Sequence, residues 1–157
     1  MIDNNSMQSQ SKLIKNIPYI ASLLTLILHL LGNPHYGFFR DELYFIMCGF
    51  HPDWGYADQP PLVPFLAAGS QPFGHSLFLL RAIPALFASA SVYVTCLLVI
   101  ELGGNTFALI LASIVVSLCP TLVNFGSKLS TDTVGLVFWP LITLLILKII
   151  HGANPRI

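Results

Sequence analysis

Charge is what this sequence has least of. Of its 157 residues, seven are Lys or Arg and seven are Asp or Glu, so 9% are charged and the formal net charge is zero. With 55% hydrophobic residues and a mean hydropathy of +0.76, the chain is too apolar for an ordinary water-soluble domain. No basic stripe is present, which excludes a nucleic-acid interface. Cysteine is scarce as well. Cys48, Cys96 and Cys119 show no paired spacing, which argues against a disulfide framework. There is no Walker loop, His/Cys zinc pattern, nucleophile elbow or internal repeat. What remains is a set of long uncharged runs.

Crossing about 30 Å of hydrocarbon takes roughly 17 to 25 helical residues. Four runs approach or meet this, at residues 17–31, 77–100, 106–125 and 134–150, so an all-α integral membrane protein with four spans is expected. Arg81 and Lys148 are the only full charges within them, each near an end where a long side chain can snorkel to the interface. Lys12 and Lys15 precede the first span, and Lys148 and Arg156 close the fourth. The positive-inside bias therefore puts both termini in the cytoplasm, with residues 1–16 as a cytoplasmic tail. A basic region before a short apolar one also fits a signal peptide. "LHLLGNPHYG" lacks a small-residue cleavage site, however, so a retained anchor is preferred.

This topology leaves residues 34–76 as one long external segment and 126–133 as a short one, and chemistry is sought there. The long segment is aromatic and proline-rich rather than disordered. Phe39, Leu43, Ile46, Met47 and Phe50 recur at helical spacing, which predicts an interfacial helix over residues 40–50, ended by Gly49 and Pro52. Asp41, Tyr44 and Cys48 share another face. Asp41 and Glu42 fall in the first turn, where free N–H groups favour carboxylates, and simple helix starting, with Arg40 as partner, would account for them equally well. Pro61 suits the first turn of a second short helix, with Asp58 just before it, a placement that turn chemistry alone also explains. Asp132 precedes the last span, where helix capping together with Thr131 would account for it equally well. His35, His51 and His75 read as interfacial polar residues.

In their order, "FFRDELYF", "GYADQPPLVPFL", "SLFLLRAIPAL", "ELGG" and "STDTVGLVFW" resemble the N-terminal part of bacterial glycosyltransferase family 39 proteins, from about Tyr36 onward. That family includes relatives of protein O-mannosyltransferases and of the lipid A aminoarabinose transferase. The resemblance implies a GT-C membrane fold, a bacterial plasma-membrane location, and transfer of a sugar from a polyprenyl-phosphate carrier to a lipid, glycan or protein acceptor at the external face. It implies Asp41 as the catalytic carboxylate, Glu42 as its neighbour in the family's acidic pair, and Asp132 as a second acidic residue. Asp58 corresponds to a position that helps some relatives bind a divalent metal ion. Relatives carry a basic residue where this chain has Gln59. Arg81 and Arg40 are the candidates for the donor phosphate.

The chemistry fits those residue types. A carboxylate is needed to orient and deprotonate the acceptor, and a cation to stabilise the leaving phosphate. Because family members run several times longer, the chain is expected to be an N-terminal fragment, inactive alone. Two other classes compete with this reading. A transporter fragment would show charges or broken helices near a span's midplane, for which Pro84 and Pro120 are the only hints. A small structural multi-pass protein would tolerate Asn at Asp41 and Asp132.

Overall fold

The computed structural model describes residues 4–33, 37–73 and 76–152, and side chains from Ile14 onward within the first helix. His35, His75 and Arg156 lie outside these residues. The described chain is all helical: α1 Asn4–Gly32, α2 Arg40–Phe50, α3 Leu62–Ser70 followed by a 3-10 turn Gln71–Phe73, α4 Leu77–Glu101, α5 Thr106–Ser117, α6 Pro120–Gly126 and α7 Thr131–Ile150.

Three helices are long and apolar enough to cross a membrane, namely Ile14–Gly32 of α1, α4 and α7. Helix α1 also runs back through residues where a tail was expected. The expected single span at 106–125 is two helices, α5 and α6, bent by 56° at a short break. The cause is local. Cys119 is extended ahead of Pro120, whose ring lacks an N–H and fits the first position of a new helix. The break carries Leu118 and Cys119 but no charged side chain, unlike the midplane sites of transport pathways.

Helix α4 is the hub, packed against α1, α5, α6 and α7, with α3 against its start. Small side chains allow this: Ala85, Ala88, Ser91, Val92 and Cys96 are buried along it. Gly126 shows how close the approach is, because a Cβ there would lie 2.7 Å from both Ala88 Cβ and His29 Cε1. Hydroxyls stitch the helices together. Ser89 donates to Ser22 O at 2.8 Å, Ser91 donates to Leu136 O at 2.7 Å, and the Thr25 and Ser117 hydroxyls pair at 2.8 Å. Outward-facing Leu, Ile and Phe side chains on the long helices stay exposed, as a lipid-facing surface requires.

A second apolar cluster seats the two short helices on the bundle: Phe45, Ile46, Val63, Ala67, Leu80 and Leu129. Helix α2 spans the expected residues, and its apolar side chains divide between two faces. Phe45 and Ile46 face inward, whereas Leu43, Met47 and Phe50 are exposed. Gly49 packs closely against α3, where a Cβ would meet Ala68 Cβ at 3.0 Å.

Candidate active site at one end of the bundle

Buried charge organises this end. Arg81, in the first turns of α4, is 5% exposed and Glu42 is fully buried. Arg81 Nε donates to Glu42 Oε1 and Nη2 to Glu42 Oε2, each at 2.9 Å, a bidentate arrangement. The remaining capacity is used on backbone. Arg81 Nη1 donates to Asn33 O at 2.8 Å and Nη2 to Gly37 O at 2.7 Å, while Glu42 accepts from Phe39 N–H at 2.8 Å and Leu129 N–H at 3.3 Å. The snorkelling expected of Arg81 is therefore wrong. A carboxylate inside the fold offers a better partner than interfacial water, and satisfying both ions makes their burial tolerable. One ion pair thereby ties the end of α1, the start of α2, the start of α4 and the segment before α7 together.

The residue before Glu42 faces the opposite way. Asp41 lines a cavity of about 530 Å³ whose walls come from three separated segments. Helix α2 contributes Arg40, Asp41 and Tyr44; the loop before α3 contributes Asp58 and Gln59; the start of α7 contributes Ser130, Thr131 and Asp132. Arg40 Nε reaches Asp41 Oδ1 at 3.4 Å, with Arg40 94% exposed and Asp41 42%. The Tyr44 phenol donates to Asp58 Oδ1, and that hydrogen bond, followed by one to Cys48, holds the phenol well above its ordinary pKa. Tyr56 braces the loop: its O–H is shared between Cys48 O at 2.8 Å and His51 O at 3.0 Å.

Capping at α7 falls to a different residue from the one considered from sequence. Ser130, not Asp132 with Thr131, is the cap residue, and its N–H donates to Thr133 Oγ1 at 3.1 Å. Thr131 instead donates to Gln59 Oε1. Asp132 is left exposed in the first turn, on the cavity wall.

Of the residues singled out from sequence, Asp41, Asp58, Asp132 and Arg40 converge on this cavity. Glu42 and Arg81 do not reach it; they form the frame behind it. Tyr44, Gln59, Ser130 and Thr131 were not assigned a site role. Tyr44 carried a signal in its helical spacing from Asp41, and Gln59 in the basic residue that relatives place there. Among the described residues no group of three His, Cys, Asp or Glu side chains is placed to hold a metal ion, and Asp58 is already engaged by Tyr44, so the residues present do not fit a divalent ion.

Fold and site together define a helical membrane protein with an acidic cavity at one end of its bundle. The family model described as dolichyl-phosphate-mannose-protein mannosyltransferase matches residues 58–156, and the chain belongs to that family of glycosyltransferases. No curated protein and no solved structure matches the chain. Asp58, Arg81 and Asp132 lie within the matched region; Asp41 and Glu42 lie before it.

Proposed function

We propose that the cavity serves sugar transfer from a polyprenyl-phosphate carrier to a lipid, glycan or protein acceptor at the external face of a bacterial plasma membrane, with both termini cytoplasmic. The observation that carries this reading is the convergence of Asp41, Asp58 and Asp132, from three separated segments, on one accessible cavity. In the reaction, Asp41 takes the proton from the acceptor hydroxyl as its oxygen bonds to the anomeric carbon. The carbon–phosphate oxygen bond breaks and polyprenyl phosphate leaves, through a transition state with positive character on the sugar.

Asp132 orients the acceptor from the facing wall. Arg40, exposed at the rim, meets the phosphate. Glu42 and Arg81 act through position: the ion pair fixes the first turn of α2 and so fixes Asp41. Asp58, held by Tyr44, completes the acidic wall. No step is routed through a metal.

The test is made at the chromosomal locus, which leaves the protein as its cells produce it. Right-side-out vesicles are given polyprenyl-phosphate [14C]mannose, and label transferred to acceptor is measured with and without the gene. Deletion is expected to abolish a transfer that complementation restores. Unchanged transfer from every polyprenyl-phosphate sugar supplied would refute the reading.

A further inference from the structure

The carboxylate cavity is rich in acceptors, and the hydroxyl hydrogens on its walls are already given to the protein. The Tyr44 phenol donates to Asp58 Oδ1, and the Thr131 hydroxyl donates to Gln59 Oε1. Thr133, behind the wall, turns its hydrogen to Phe125 O at 3.0 Å and Lys128 O at 3.2 Å. The Ser130 hydroxyl, 3.3 Å from Thr133 Oγ1, is therefore the donor of that pair. Arg40 has guanidinium hydrogens to spare, but its side chain is 94% exposed at the rim. One neutral side-chain donor remains on the walls, the amide of Gln59.

The orientation of that amide is set from the facing wall. Thr131 holds its oxygen, which leaves the NH2 group for a ligand. Gln59 is half-buried, its backbone O accepts from Tyr56 N–H at 3.0 Å, and its Nε2 meets no acceptor among the described residues. The preceding residue has the complementary capacity: Tyr44 occupies Asp58 Oδ1, and Oδ2 is left to accept. A donor and an acceptor on adjacent residues of one wall match a hydroxyl group, which accepts on its oxygen and donates its hydrogen. An ammonium group has no lone pair for the amide. A carboxylate has no hydrogen for Asp58, and it would meet Asp41 and Asp132 across the same cavity.

We propose that Gln59 is the specificity-determining residue of the cavity. Its amide donates to one hydroxyl oxygen of the transferred sugar while Asp58 accepts that hydroxyl's hydrogen, so the cavity selects a neutral hexose over an amino sugar or a uronate. This rests on the sugar-transfer reading above and adds the chemical class of the sugar to it. Thr131 is a positioning residue, because its hydroxyl fixes which end of the amide faces the sugar.

The test measures binding to the chain in phosphatidylcholine nanodiscs, with transfer by vesicles assayed separately. The probes are polyprenyl-phosphate mannose, glucose and galactose, then the monodeoxy and amino analogues of whichever binds best, and a polyprenyl-phosphate uronate. The neutral hexose is expected to bind best, and one monodeoxy analogue should bind about tenfold more weakly, as for loss of one hydrogen-bonded group. Gln59→Glu keeps an oxygen for Thr131 but has no N–H. It should bind the hexose about tenfold more weakly, cease to distinguish it from that deoxy analogue, and favour the amino analogue at the same carbon. Thr131→Ser should behave as the unaltered protein, whereas Thr131→Val, which releases the amide oxygen, should blunt the discrimination. A purely structural role for Gln59 would leave the pattern across analogues unchanged. Equal binding of all the deoxy analogues, preference for the uronate, or unaltered discrimination by Gln59→Glu would overturn the proposal. The two readings separate, because transfer that ignores every deoxy position sinks only this one, and the expected binding pattern without transfer sinks only the other.

Discussion

The bundle is tied by a polar side-chain pair at each end, and the two pairs sit in different solvents. At the site end Arg81 and Glu42 are 5% and 0% exposed; at the far end His151 Nδ1 meets Glu101 Oε1 at 2.8 Å with the partners 48% and 24% exposed. The far pair, a histidine–carboxylate contact that is ionic only when the imidazole is protonated, links the ends of α4 and α7 in reach of water, where the net gain is small. The site pair has no such relief. It is held by four backbone groups from three segments, and it gives Asp41 a fixed neighbour while leaving Asp41 itself accessible. Rigidity lies behind the cavity and access lies in front of it.

Breaking the site pair should therefore have the largest effect. Arg81→Leu, which strands Glu42, is expected to cost about 3–5 kcal/mol in detergent unfolding, and the double variant Arg81→Met with Glu42→Leu should recover much of that loss. Gly126→Leu comes next: its side chain has no room against Ala88 and His29, so about 1–3 kcal/mol is expected from the same measurement. His151→Ala should change stability by no more than about 0.5 kcal/mol. A loss as large as that for Arg81→Leu would erase the contrast between the two ends.

The smallest effect concerns Tyr44. Its raised pKa means that the neutral phenol is favoured in the folded protein, so the associated stability is present at neutral pH and is lost as pH rises from the ordinary phenol range through the raised value. In an alkaline absorbance titration, Tyr44→Phe should leave the change around pH 10 intact, whereas Asp58→Asn should add one phenol ionisation there.

Much of the fold was legible because hydropathy and helical period report burial directly. Helices α2, α4 and α7 fall where their apolar runs and starting residues place them. The break between α5 and α6 was not read, although Pro120 marked it, because hydropathy continues unbroken across Leu118 and Cys119. Asp41, Asp58 and Asp132 stood out as charges in an apolar chain, and they share the cavity. Arg81 was misread because its partner lies 39 residues away along the sequence, a pairing that only the packing of α2 on α4 creates. The contact between Gln59 and Thr131 could not be read from sequence, because it spans 72 residues and joins two uncharged side chains.

The central claim is that Asp41 performs chemistry while its neighbour Glu42 holds the frame. The most direct measurement is sugar transfer by vesicles carrying Asp41→Asn at the native locus, normalised to protein abundance and to retained binding of the polyprenyl-phosphate mannose. Asn preserves shape and can still accept hydrogen bonds at a helix start. The account predicts normal abundance and donor binding with transfer reduced by roughly a hundredfold or more, the effect of losing a positioned base. Near-normal transfer by a correctly folded Asp41→Asn protein would contradict it and return Asp41 to the role of a helix-start residue.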